Sequence, residues 1–123
     1  MTLIRVVLVP LWQGLPPDEF RAWFRQHGRK VGAVMIPLGA SAAATTLAAA
    51  VFEPRRGSKA CAAATAGVVA ITLAVNEPAN ERFWSDEPMT NEQTTELLNR
   101  WERWHNARVA LGAVALIAAV RRL

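Results

Sequence analysis

The sequence predicts an all-α fold: a four-helix transmembrane bundle with a short or truncated first helix and a long C-terminal helix. Val31–Phe52 and Ala60–Asn76 contain no charged side chain, and about 20 apolar residues are enough for a helix to cross a bilayer. All five tryptophans lie outside these two stretches, as expected for rings that favour the membrane interface. A soluble, alanine-rich helical bundle is the alternative interpretation of the same pattern.

Composition limits the classes of protein to which the chain can belong. Its 123 residues predict one helical membrane domain over 1–123, and 52% hydrophobic residues exclude a disordered chain. The lone Cys61 excludes a disulfide framework. Two histidines and one cysteine, well separated, give no metal-ligand spacing. The net charge of +4 reflects arginines that flank apolar stretches, so we expect no nucleic-acid partner.

The N-terminal part is predicted to contain a short apolar segment followed by an amphipathic helix. The first segment, about residues 2–15, is too short to span a bilayer alone and leads into a Pro-Pro pair. Prolines followed by acids suit a helix start, and residues 17–28 carry an aromatic stripe of Phe20, Trp23 and Phe24. The stripe predicts a helix lying in the membrane interface, although a helix packed on a protein core has the same pattern.

Two predicted spans come next along the chain. The segment 31–52 has the length of a spanning helix and contains Pro37, which should kink it. The segment 60–77 lies at the lower length limit, and Pro78 should end it, because a residue before proline is biased away from helical geometry. The connection Glu53–Lys59 holds three bases and one acid, which favours the cytoplasmic side. The bases of the preceding amphipathic helix favour the opposite orientation.

The last helix has a clear predicted start and a long course. The stretch from Thr90 to Gln93 fits a capping box with Thr90 as the N-cap. Only Gly112 weakens the helix before Leu123, so the whole element is about 50 Å long at 1.5 Å per residue. Its apolar part, about residues 104–120, is predicted to enter the membrane while the earlier turns project into water.

Arg108 is the most informative residue of this last helix. At about 100° per residue it shares a face with Trp101 and Trp104, with His105 at the edge of that face. It directly precedes an uncharged membrane segment, where an unpaired guanidinium is costly. We therefore expect Arg108 to face the bundle interior, unless its side chain extends to the interface.

Asn76 and Asn80 form a second candidate cluster. They lie four residues apart at the end of an apolar segment, so both amides can point into the cavity that receives Arg108. Alternatively, they bond to backbone groups that a helix break exposes, as asparagine often does at helix ends. Glu77 lies between them, and its pairing with Arg108 is the simplest non-catalytic interpretation of the cluster.

Two motifs carry a family resemblance. They are Thr72-Leu73-Ala74-Val75-Asn76-x-Pro78-x-Asn80 and Trp101-x-x-Trp104-His105-x-x-Arg108. With them the chain resembles the anthrone oxygenase-like family of small membrane proteins. The resemblance implies a four-helix transmembrane bundle and, as in the characterised members, oxygenation of polyketide anthrones to anthraquinones without a metal or flavin. Glu77 departs from the apolar residue usual in the family, and the first helix is shorter than the family's spanning segment.

For this chain the resemblance implies a cofactor-free oxygenase of anthrone-like aromatic polyketides, because an anthrone carbanion reacts directly with oxygen once a proton is removed. The resemblance implies that His105 acts as the base and that Arg108 stabilises the oxyanion. Asn76 and Asn80 would form hydrogen bonds to the substrate carbonyl, and Trp101 and Trp104 would form the walls of the substrate slot. The alternative is a non-enzymatic membrane protein that binds a hydrophobic ligand or partner helices. In that case Arg108, Asn76 and Asn80 form a structural polar network.

The expected partners are the lipid bilayer and a hydrophobic aromatic small molecule, with no nucleic acid, metal or cofactor. The expected location is the cytoplasmic (inner) membrane of a bacterium, into which the chain is integrated. The sequence leaves open whether copies of the chain associate into a homo-oligomer.

Overall fold

The computed structural model describes residues 1–121, and within that range it consists of helices without strands. The helices are α1 (Ile4–Gly14), α2 (Pro17–Phe52), α3 (Arg56–Trp84) and α4 (Asn91–Val120). The predicted all-α architecture, with a short first helix and a long last one, is confirmed. The predicted end of the last helix at Leu123 lies outside the described residues.

Consecutive helices run in opposite directions because the connections between them are short. The α3 helix packs along both α2 and α4, with its most extensive contact against α4. The connections 15–16 and 85–90 therefore lie at one end of the bundle, and 53–55 lies at the other. Arg21 links α2 to the 85–90 connection, because its Nη2 donates hydrogen bonds to the carbonyl oxygens of Ser85 and Glu87 at 3.0 and 2.9 Å.

An aromatic core fills the end of the bundle that holds the 85–90 connection. Trp12 lies at its centre and contacts Phe20, Phe24 and Trp101 edge to face, with ring centroids 5.4–5.8 Å apart. Phe83 packs on Phe20 at 4.9 Å. All of these rings are buried. The aromatic stripe expected in a separate interfacial helix thus belongs to the first turns of α2 and supplies part of this core.

The other half of the bundle exposes apolar side chains. On α2, Val34, Ile36, Leu38 and Leu47 are 58–66% exposed, and the most apolar window of this helix contains no buried residue. A patch of this kind on a soluble monomer is rare, but it suits contact with lipid. Two helices, Pro17–Phe52 and Arg56–Trp84, are long and apolar enough to cross a membrane.

Pro78 does not end the third helix, so that prediction was wrong. Glu77 is helical, with φ −65° and ψ −45°, and α3 continues through Pro78 to Trp84. A π-helical turn over Thr72–Asn76 lies directly before the proline. Because the wider i→i+5 hydrogen bonds of a π turn rearrange the backbone locally, the helix accommodates the missing proline N–H without breaking.

The predicted capping box at the start of α4 is confirmed. Thr90 Oγ1 accepts a hydrogen bond from the Gln93 backbone N–H at 3.1 Å, and Gln93 Oε1 accepts one from the Thr90 N–H at 3.0 Å. From this start the helix carries one buried stripe at a spacing of three and four residues. Its members are Thr94, Leu98, Trp101, His105 and Arg108.

Candidate functional site

The C-terminal half of the buried stripe on α4 forms the polar centre of the bundle. His105 is fully buried, and Trp101 and Arg108 are 4% and 8% exposed. The Trp101 and His105 rings stack almost in parallel, with centroids 4.8 Å apart and an interplanar angle of 9°. The Arg108 guanidinium carbon lies 5.7 Å from the centroid of the Trp101 ring, within the range of a cation–π contact. Arg108 therefore faces the bundle interior.

Two polar groups hold the Arg108 guanidinium. Its Nη1 donates to Thr72 Oγ1 at 2.9 Å, and its Nη2 lies 2.7 Å from His105 Nδ1. Its Nε is buried and has no hydrogen-bond partner among the described residues. No carboxylate of residues 1–121 forms a salt bridge with it. The alternative pairing of Arg108 with Glu77 is not made, and Glu77 Oε1 instead accepts a hydrogen bond from Asn80.

The hydrogen bonds of His105 define its tautomer. A guanidinium only donates hydrogen bonds, so the Nδ1 atom that faces Arg108 must present a lone pair. The hydrogen of the neutral imidazole is then on Nε2, which lies 3.3 Å from the carbonyl oxygen of Met1 and donates to it. His105 is thus a neutral ring whose basic atom, Nδ1, is covered by Arg108.

Both asparagines of the second cluster bond across to α4 through Trp101. Asn76 is fully buried and its Nδ2 donates to the Trp101 carbonyl oxygen at 3.2 Å, whereas its Oδ1 accepts no hydrogen bond from the described residues. Asn80 Oδ1 accepts a hydrogen bond from Trp101 Nε1 at 2.9 Å. Neither side chain caps the backbone of its own helix, so the cluster ties α3 to α4.

The structure brings together five of the six predicted site residues and leaves one outside. Trp104 is 43% exposed, on a different side of α4 from the buried stripe. At about 100° per residue, Trp104 is rotated by roughly that angle from His105, the centre of the stripe that α3 covers. The five residues that come together are Asn76, Asn80, Trp101, His105 and Arg108.

Two further residues, Thr72 and Met1, belong to this group and are not among the six predicted site residues. Thr72 precedes Asn76 by four residues and therefore shares its helix face, a spacing from which its place was predictable. Met1 contributes only a backbone oxygen, for which no sequence signal exists. Within residues 1–121, no three His, Cys, Asp or Glu side chains lie close enough together to hold a metal ion.

The fold and the site define a small α-helical protein with two helices that are long and apolar enough to cross a membrane and a buried histidine, arginine and asparagine group between its last two helices. The chain belongs to the anthrone oxygenase family, because the model of that family matches residues 20–118. The matched range covers all of the group except Met1. No curated protein and no solved structure matches the chain.

Proposed function

We propose that the chain is a cofactor-independent oxygenase that converts anthrone-like aromatic polyketides to anthraquinones. The observation that carries the proposal is the contact between Arg108 and His105 Nδ1, a cation beside a neutral base, in a chain of the anthrone oxygenase family. An anthrone has an acidic CH₂ group opposite its ketone, so this reaction needs a base and a stabilised oxyanion.

The proposed reaction begins with proton removal. His105 Nδ1 accepts one proton from the CH₂ group, and the resulting negative charge is delocalised onto the ketone oxygen. Molecular oxygen then bonds to the carbon, and the peroxide so formed takes up the proton. Loss of the second hydrogen of the CH₂ group, with cleavage of the O–O bond, gives the second ketone. One anthrone and one O₂ therefore yield one anthraquinone and one water.

Arg108 is suited to the developing oxyanion because no carboxylate of residues 1–121 neutralises it through a salt bridge. Its Nε is a spare donor, and Asn76 Oδ1 is a spare acceptor, so the group can bond to both a carbonyl and a phenolic hydroxyl. Asn80 adds a second amide, and the Trp101 ring supplies a flat apolar wall. Donors fixed in a buried site act more strongly than donors in water.

Substrate access in this proposal runs past Trp104. His105 and Asn76 are fully buried, so a substrate reaches them only when neighbouring side chains move. Trp104 adjoins His105 in the chain and is exposed beside the apolar half of the bundle. We assign it to the entrance of the slot, where an aromatic substrate dissolved in lipid first stacks, rather than to its inner wall.

The test is oxygen uptake with emodin anthrone, using purified protein in detergent. His105→Ala should abolish uptake because the base is lost, whereas His27→Ala should retain it. His27 is a matched control, since it is the other histidine of the chain and its ring lies tilted against Trp23, outside the buried group. Unchanged turnover in folded His105→Ala protein would contradict the assignment.

A structural role for the same group is the second candidate, and one observation favours it. Arg108, Asn76 and Asn80 each form a hydrogen bond that joins α3 to α4. Under this alternative, His105→Ala changes no chemistry, and Arg108→Leu mainly lowers the midpoint of thermal unfolding or the yield of assembled protein. The enzymatic proposal instead predicts that His105→Ala abolishes oxygen uptake in protein that unfolds near the wild-type midpoint.

A further inference from the structure

Thr72 is the first residue of the π-helical turn Thr72–Asn76, and its side chain bonds to Arg108 beside His105. We propose that Thr72 is a positioning residue: its hydroxyl holds the Arg108 guanidinium against His105 Nδ1 and thereby keeps the imidazole in the Nε2–H tautomer. The consequence of this arrangement for turnover rests on the proposed oxygenase function. Its consequence for the tautomer does not.

The hydroxyl of Thr72 donates one hydrogen bond and accepts another. Its hydrogen is donated to the carbonyl oxygen of Val68 at 2.7 Å, and its oxygen accepts from Arg108 Nη1 at 2.9 Å. Because the single hydroxyl hydrogen points to Val68, only lone pairs face the guanidinium. Thr72 is therefore a fixed acceptor at the start of the π turn, while Asn76 at the end of the same turn bonds to the backbone of α4.

The planar geometry of arginine explains why this single contact matters. Nη1 and Nη2 are fixed relative to each other, so a guanidinium bound to Thr72 through Nη1 has a defined direction for Nη2. Nη2 then points at His105 Nδ1 at 2.7 Å. Without the hydroxyl, Arg108 retains no second side-chain acceptor among its described hydrogen bonds, so its guanidinium can leave His105 Nδ1 and that nitrogen can then carry the hydrogen. Only the Met1 carbonyl oxygen still favours the Nε2–H tautomer.

During turnover the same contact allows Arg108 to pivot. When the substrate binds, Nη2 leaves His105 Nδ1 for the ketone oxygen. The uncovered Nδ1 then accepts the substrate proton while negative charge develops on that oxygen. Nη1 stays on Thr72 throughout, so the guanidinium turns about a fixed point and does not leave the site. Thr72 acts through Arg108 and does not touch the substrate.

Three variants test this role. Thr72→Val has nearly the same shape but lacks the hydroxyl, and Thr72→Ser restores it. Thr65→Val is the matched control: Thr65 is also half-buried on α3, and its hydroxyl donates to the carbonyl oxygen four residues earlier, at Cys61, without contacting Arg108. If Thr72→Val does not fold, Thr72→Ala removes the hydroxyl without adding bulk.

The first measurement is ¹⁵N NMR of the histidine rings in detergent micelles, with His27→Gln used to assign the signals. Wild type, Thr72→Ser and Thr65→Val should show His105 with hydrogen on Nε2, and Thr72→Val should show a mixture of tautomers. The second measurement is anthrone oxidation, where kcat of Thr72→Val should fall roughly tenfold with little change in KM, as for other outer hydrogen-bond partners of a working side chain.

The outcomes separate this inference from the proposed function. An unchanged His105 tautomer in folded protein that lacks the Thr72 hydroxyl overturns the positioning role, and so does a Thr72→Ser variant that behaves like Thr72→Val. Wild-type protein without oxygen uptake overturns the oxygenase proposal instead. The NMR result still decides the role of Thr72 in that case, because it requires no turnover.

Discussion

At Gly28 the α2 helix lies directly against Trp84 at the end of α3. A Cβ atom at this position would lie 2.8 Å from Trp84 Nε1 and 3.0 Å from two atoms of the Phe24 ring. Both neighbours are bulky rings packed at the edge of the aromatic core. Gly28→Ala should therefore lower the free energy of unfolding by about 1–3 kcal/mol, the usual cost of overpacking. Denaturation of the purified protein in mild detergent, followed by tryptophan emission, measures this change.

The control for Gly28→Ala lies on the same helix. A Cβ atom at Gly39 would meet nothing within 4 Å, so Gly39→Ala adds no clash and removes a residue of poor helix propensity. Its stability should equal or exceed that of the wild type. Equal stability of Gly28→Ala and Gly39→Ala would contradict a close contact between Gly28 and Trp84.

The sequence predicted the residues of the site better than their orientation. Arg108 was expected in the interior because a charge beside an apolar segment is costly, and that argument needs no partner. Which residue lies at the centre of the buried face of α4 was harder to predict, because it depends on which side of α4 packs against α3. Trp104 carries the larger apolar ring, but Thr72 and Asn76 on α3 face Arg108 and Trp101, and this packing places His105 inside and Trp104 outside.

Individual elements were predictable where their signals are local. The predicted start of α4 is confirmed, because all the residues of a capping box lie within four positions of the sequence. The predicted end of α3 was wrong, because the rule for residues before proline describes a regular helix. A π turn over Thr72–Asn76 changes the backbone just ahead of Pro78. No local sequence pattern predicts that turn, and its first and last residues form hydrogen bonds to another helix, α4.

Arg21 connects two elements and should contribute to the stability of the whole end of the bundle. It is 8% exposed, and its Nη2 donates to two carbonyl oxygens of the connection after α3. Hydrogen bonds from a charged donor are among the stronger ones in proteins. Arg21→Met retains the apolar stem but leaves both carbonyls without this donor, so we expect a loss of about 2 kcal/mol in the free energy of unfolding.

Arg25 provides the comparison for Arg21→Met. It lies one turn further along α2 and pairs with Asp86 at 3.3 Å, but the Asp86 side chain is 98% exposed. Exposed ion pairs contribute little, so Arg25→Met should change the free energy of unfolding by less than about 0.5 kcal/mol. Equal losses in both variants would indicate that charge, and not the buried hydrogen bonds, holds the 85–90 connection.

The molecule as a whole has two unlike halves. One contains the aromatic core and most of the acidic side chains, and the other exposes apolar side chains around alanine-rich helices. The apolar half ends in a basic group of four exposed residues, Arg55, Arg56, Lys59 and Arg121. At the opposite end, Arg21 and Arg25 are bonded to the 85–90 connection. Under the positive-inside rule the basic group favours a cytoplasmic 53–55 connection, whereas the bases at the start of α2 favour the opposite orientation. We expect the basic group to decide the topology, because Arg21 and Arg25 are already bonded within the protein.

Cysteine labelling in cells tests this orientation. Cys61→Ala first removes the single native cysteine, after which Pro54→Cys and Pro88→Cys place one thiol in each exposed connection without removing a charge. A maleimide that does not cross membranes should label position 88 in intact cells and position 54 only after permeabilisation. The reverse pattern would mean that the arginines at the start of α2 decide the topology.

The stack of Trp101 on His105 gives this protein an optical property. The chain has no tyrosine, so its near-ultraviolet emission comes from tryptophan alone. An imidazolium in contact with an indole quenches its emission much more than a neutral imidazole does, and these two rings lie 4.8 Å apart. Protonation of His105 should therefore lower the fluorescence intensity of Trp101. Stopped-flow fluorescence can follow that proton in the unlabelled wild-type chain.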